Sequence, residues 1–107
     1  MREHTESEKR LLADPDARNA YDNYEVLTKL GNALRELRLE ARLSQQQLQA
    51  LSGVNQADIS RVEQGAMERG PSLAVVRKIA SSLGFQVTLS LRKQDDETGS
   101  SRVTLEL

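Results

Sequence analysis

Residues 44–65, SQQQLQALSGVNQADISRVEQG, limit what this chain can fold into more than any other stretch. Ser44 is a good helix N-cap, and Gln47 three residues on completes a capping box. Leu48 and Leu51 give the helix that follows an apolar side. Gly53 suits a tight turn, because a residue without Cβ reaches positive φ at little steric cost. Asn55 is placed to cap a second helix, and Asp58 in its first turn suits the helix dipole. Ile59 and Val62 are three apart and face a core, and Gly65 ends the helix as a C′ residue.

Helix, glycine turn, helix is the supersecondary signature of a DNA-binding helix-turn-helix. The stretch resembles the helix-turn-helix of the Xre and phage-repressor (Cro/C1-type) family. The resemblance rests on Ser44 and Gln45, Leu48, the SGV turn at residues 52–54 and the ISRVEQG run at residues 59–65. More loosely, it extends over residues 34–83. It implies a mainly α fold: a lambda-repressor-like helix-turn-helix bundle of about five helices, closed by a C-terminal β-strand or hairpin.

Composition is compatible with this. The 107 residues make one domain of modest size, with room for one small core. There is no cysteine, so disulfides and thiolate metal sites are excluded. The N-terminus lacks the apolar core of a secretory signal, and no apolar run approaches a membrane span. A cytoplasmic protein, with no membrane partner, is the expectation. Tyr21, Tyr24 and Phe85 are the only aromatic residues, so the core must be aliphatic. Base stacking on aromatic platforms is correspondingly disfavoured.

The charge is unevenly spread. Residues 31–92 carry eight basic and five acidic side chains, whereas residues 1–30 and 93–107 are each net −2. A mildly basic centre fits phosphate contact. The acidic ends fit either a basic partner or simple solubility.

Along the chain, Asp14-Pro15 suits a helix start, with proline in the first helical position. Tyr24, Leu27, Gly31, Leu34, Leu37 and Ala41 follow a three-and-four spacing, which predicts a helix over residues 24–42. Gly31 costs about 1 kcal/mol against alanine there, so the helix either breaks or has a neighbour packed close. Ser72 caps a further helix with Leu73, Val76, Ile79, Ala80 and Leu83 on its buried side. The period then changes to two. Phe85, Val87, Leu89 and Leu91 alternate with polar residues, as do Val103, Leu105 and Leu107, which predicts half-buried strands.

An isolated hairpin is marginal in water, so its apolar face needs a cover. The cover is either the chain's own helices or the same element of a second subunit. The expected homodimer contact is Phe85, Val87, Leu89 and Leu91. Two recognition helices about 34 Å apart would read an inverted-repeat operator in double-stranded DNA. The resulting division is residues 1–23 as an N-terminal extension, 24–84 as the DNA-binding domain and 85–107 as the dimerisation element.

The family resemblance also implies residue roles. Gln56, Ala57 and Arg61 occupy the base-contacting positions of the second motif helix. Gln suits adenine, Arg suits guanine, and an alanine methyl meets the thymine methyl. Gln45 matches a residue that bonds a phosphate and braces the recognition helix, and Arg69 is a further phosphate candidate. Arg38 and Glu63 match a structural ion pair between helices. Two positions depart from the pattern. Gln49 stands where the family has a small alanine, so its amide must point outward or splay the motif helices. Arg42 replaces a glycine at the end of the first helix.

Enzyme chemistry has little to build on. His4 is the only histidine, so neither zinc ligation nor a serine nucleophile with its base is expected, nor any cofactor. The segment LLADPDARNAYDNYE resembles the entry region of HigA-type antitoxins of type II toxin–antitoxin pairs. That implies a small basic ribonuclease toxin of the RelE/HigB-like class as partner, with autorepression of the shared operon. Leu11, Leu12, Tyr21 and Tyr24 would be its contacts, unless the tyrosines dock on the domain itself. Two alternatives are a stand-alone Xre-type regulator and an adaptor that does not read DNA.

Overall fold

The computed structural model describes residues 14–95 and 97–107, with side chains of the first helix described from Asp22 on. Four helices and a two-stranded hairpin follow one another in this region. They are α1 (Pro15–Glu40), α2 (Gln45–Ser52), α3 (Gln56–Gln64), α4 (Leu73–Ser82), β1 (Thr88–Arg92) and β2 (Arg102–Glu106). This is the lambda-repressor-like helix-turn-helix arrangement, mainly helical with a C-terminal antiparallel hairpin.

α1 starts at the proline and runs 26 residues, about 39 Å at 1.5 Å per residue, without a break at Gly31 or at positions 23–24. Gly31 is instead where α3 crosses. A Cβ there would meet the carbonyl oxygen of Val62 and lie 2.8 Å from that of Glu63. The missing side chain lets two helix backbones approach, which outweighs the propensity cost.

The corner after α1 is tight. Arg42 takes φ +59, and Leu43 donates its N–H to the Arg38 carbonyl at 3.2 Å. A left-handed non-glycine residue costs roughly 1–2 kcal/mol. The Arg38 side chain helps hold the corner, since Nη1 donates to the Leu43 carbonyl at 2.7 Å.

Each short helix is capped by its own sequence. Gln47 N–H donates to Ser44 Oγ at 3.0 Å, and Ser44 N–H donates to Gln47 Oε1 at 2.8 Å, the reciprocal box. Gly53 turns the chain at φ +75, and Gly65 ends α3 at φ +66. At Gly65 the carbonyls of Val62 and Arg61 are taken by the N–H groups of Gly65 and Ala66, as in a Schellman end. Ser72 accepts from Val75 N–H at 3.1 Å to open α4.

The core is aliphatic. Leu34, Leu48, Val54, Ile59, Val62 and Ile79 are buried together, with Leu30, Met67, Val75 and Leu83 packed around them. Four residues expected on apolar faces lie outside, among them Ala41, just past the end of α1. Leu51 is 60 % exposed, Leu73 59 % and Tyr24 64 %. α2 has two turns and buries only Leu48, so its apolar side is a single residue wide. Leu73 is the first residue of α4, one turn ahead of buried Val76. Tyr24 lies on the half of α1 that precedes the core residues Leu30 and Leu34.

The hairpin pairs within one chain, Leu89 opposite Leu105 and Leu91 opposite Val103. Leu107 N–H extends the ladder to the Val87 carbonyl at 2.8 Å. Half-buried strands were expected, yet every residue of both strands is exposed. The alternation is present, but only its end at Val87 and Leu107 is half-buried, beside Arg77 and Ser81 of α4. Phe85 precedes the strand and is also exposed.

Candidate nucleic-acid interface

α3 divides its nine residues cleanly. Ile59, Val62 and Glu63 are buried against the rest of the domain. Ala57, Arg61 and Gln64, spaced four and three apart, are exposed on the opposite side, with Gln56 and Ser60 half-buried beside them. The three candidate base-contacting residues therefore share one helix, and two of them point to solvent.

The buried side is fixed by charge. Arg38 of α1 donates from Nε to Glu63 Oε2 at 2.7 Å and from Nη2 to Oε1 at 2.9 Å. This is a bidentate pair, with the two residues only 7 % and 6 % exposed. The hydrogen bond to Glu63 raises the Arg38 guanidinium above its ordinary value, and burial only partly opposes it. Gln45, first residue of α2, donates its amide to Glu63 Oε1 at 3.2 Å. One carboxylate thus ties α1 and α2 to the inner face of α3.

The outer side carries its own contacts. Arg61 donates from Nη2 to Asp58 Oδ1, three residues earlier on α3. Such an exposed pair contributes about 1 kcal/mol or less, whereas a bidentate guanine contact is worth about 1–3 kcal/mol. A guanine edge can therefore draw Arg61 away from Asp58. Gln64 donates to Ser60 Oγ at 3.0 Å. Gln49 is exposed, and its Oε1 accepts the Gln56 backbone N–H at 2.6 Å.

Two clefts lie near the C-terminal end of α3. One, of about 470 Å³, is lined by Asn32, Arg35, Gln45, Glu63 and Gln64 among others. The other, of about 440 Å³, includes Tyr24, Leu27, Gly65 and Arg69. Gln45 and Arg69, the two phosphate candidates, thus line different clefts, and Arg69 shares its cleft with Tyr24. Leu11, Leu12 and the Tyr21 side chain lie outside the described residues. Among the described residues no group of three or more His, Cys, Asp or Glu is placed to hold a metal ion, and no helix is long and apolar enough to cross a membrane.

Three contacts, Arg61 with Asp58, Gln64 with Ser60 and Gln49 with Gln56, go beyond the sequence expectations, as does Arg35 beside Gln45. Asp58 is more than a helix-dipole partner. Its i,i+3 spacing to Arg61 was the available signal. The Gln49 contact spans seven residues across the turn and has no local sequence signature.

The helix-turn-helix family model HTH_3 matches residues 34–90, just over half the chain. Among solved structures, the restriction-modification controller protein C.AhdI from Aeromonas hydrophila is similar. It shares 38 % sequence identity and a TM-score of 0.54, over 57 % of this chain and 89 % of that one. No curated protein matches the chain. The matched span contains all of α2, α3 and α4 together with Arg38. The chain belongs to the HTH_3 helix-turn-helix family and is a DNA-binding regulator.

Proposed function

We propose that this regulator is a transcriptional repressor that reads an inverted-repeat operator as a homodimer. α3 enters the major groove, where Gln56, Ala57 and Arg61 meet base edges. Gln45 and Arg69 contact phosphates. The observation that carries this reading is the two-sidedness of α3: Ala57 and Arg61 face solvent, while Glu63 behind them is clamped by Arg38. A braced helix with an adaptable outer face can discriminate bases rather than merely follow the backbone. The hairpin face of Leu89, Leu91, Val103 and Leu105 supports a dimer that presents two such helices.

Selection from a pool of random duplexes tests this. A palindromic pair of half-sites about one helical turn apart is the expected product. Recovery of sequence-independent DNA, bound with strong salt dependence only, would contradict it.

The likeness to a restriction-modification controller favours a regulator that works without a toxin partner. One observation favours the antitoxin reading. Tyr24 and Val26 are both exposed on α1, ahead of the span matched by the family model. Binding of a small basic RelE/HigB-like ribonuclease by the full chain, weakened by Tyr24→Ala, would establish that reading. Unchanged binding by the variant would remove Tyr24 from the contact.

A further inference from the structure

The geometry points to Gln49 as a positioning residue for DNA reading, acting through its side-chain hydrogen bond to the backbone of Gln56. This rests on α3 being the reading helix. Gln49 stands on α2, and its Oε1 accepts the Gln56 N–H at 2.6 Å. Gln56 is the first residue of α3, so that N–H has no partner within the helix. Asn55 uses its own side chain two residues further on, accepting the Asp58 N–H at 3.2 Å. The start of α3 is therefore held by two side chains with different origins. Asn55 holds α3 to itself, whereas Gln49 holds α3 to α2.

The difference matters for reading. Glu63 fixes the far end of α3 to α1 and α2, but it lies seven residues, about 10 Å, from Gln56. The turn between α2 and α3 contains Gly53 at φ +75, a residue of high backbone freedom. Without Gln49 the first turn of α3 would be placed by the packing of Val54 and Ile59 and by Ser52 Oγ, which accepts the Val54 N–H at 3.1 Å, with no side chain of α2 bonded to that turn. Base discrimination depends on small displacements of a bidentate donor–acceptor pair, so Gln56 is the side chain most exposed to that freedom. Gln49 is itself exposed and lies outside the core, so trimming it opens no cavity.

The test uses the full chain, Gln49→Ala and Gln49→Glu. The probes are the duplex selected by the wild type from a random pool and a set of its single-base variants. Gln49→Ala should lower discrimination at one base position of each half-site by roughly three- to tenfold, the range of one net hydrogen bond. Its salt dependence should match the wild type, and its urea midpoint should fall by no more than the loss of one exposed hydrogen bond allows. Gln49→Glu keeps an acceptor at the same place, so it should retain that discrimination while binding all duplexes more weakly through its added negative charge. Amide exchange at Gln56 should quicken in Gln49→Ala and not in Gln49→Glu. The proposal is overturned if Gln49→Ala discriminates like the wild type at every position, or if Gln49→Glu behaves as Gln49→Ala does. A wild type that selects no sequence would instead bring down the reading of α3 itself.

Discussion

The helical domain and the hairpin were written with equally apolar residues, yet they end in opposite states. Leu48, Ile59 and Ile79 are at most 1 % exposed. Leu91 and Val103 are 59 % and 56 % exposed although they pair directly. A helix bundle can wrap its apolar stripes around one another, and these four do. A two-stranded hairpin gathers its apolar residues on one of its two faces, and here Leu89, Leu91, Val103 and Leu105 stay exposed on it, so backbone pairing is complete while burial is not. The helical domain therefore buries its apolar residues within the chain, whereas the hairpin leaves its own exposed.

The largest effect should come from the charge inside the helical domain. Glu63→Ala leaves Arg38 buried without its carboxylate, and loss of a buried partner costs about 3–5 kcal/mol. Urea unfolding should register most of the domain's margin lost. A change below about 1 kcal/mol would mean that the pair is not what ties α1 to α3. Gly31→Ala comes next. Alanine favours helix by about 1 kcal/mol, but its Cβ would strike the α3 carbonyls, and overpacking costs about 1–3 kcal/mol. Net destabilisation is expected, and a stabilised variant would show that the helices cross with more room.

Arg61→Ala should separate function from stability in the same domain. Loss of about 1–3 kcal/mol of discrimination at one base pair is expected in duplex titrations. The unfolding midpoint should stay within about 0.5 kcal/mol of the wild type, because the residue is exposed. The smallest effect on the folded chain should come from the hairpin. Leu91→Asp should alter unfolding of the helical domain by no more than about 0.5 kcal/mol, since the site is already exposed. In sedimentation the wild type should nonetheless run as a dimer and the variant as a monomer. A wild-type monomer would erase the contrast between the two regions.

Much of the helical domain was legible in the sequence because its signals are local. Ser44 with Gln47, Gly53, Asn55 and Gly65 each mark a helix end within four residues, and the chain folds at those marks. Gly31 offered two outcomes, and only the position of α3 decides between them. Burial was less legible. Leu51, Leu73 and the hairpin leucines show that spacing reveals which residues share a face, not whether anything lies against it. At the interface, Gln56, Ala57 and Arg61 were named through resemblance. The Asp58–Arg61 contact follows the i,i+3 spacing of a helix, whereas the Gln49 contact depends on how a side chain bends across the turn, which no periodicity encodes. The Arg38–Glu63 contact joins residues 25 apart, and resemblance alone suggested it.

The measurement closest to the centre is a titration of two duplexes, the selected inverted repeat and a single half-site, with the wild type and Leu91→Asp. The wild type should prefer the full repeat by roughly 10²–10⁴-fold, the gain from linking two modest contacts. Leu91→Asp should lose that preference while keeping the wild-type affinity for the half-site. If Leu91→Asp still prefers the full repeat as strongly as the wild type, the hairpin does not couple two reading helices.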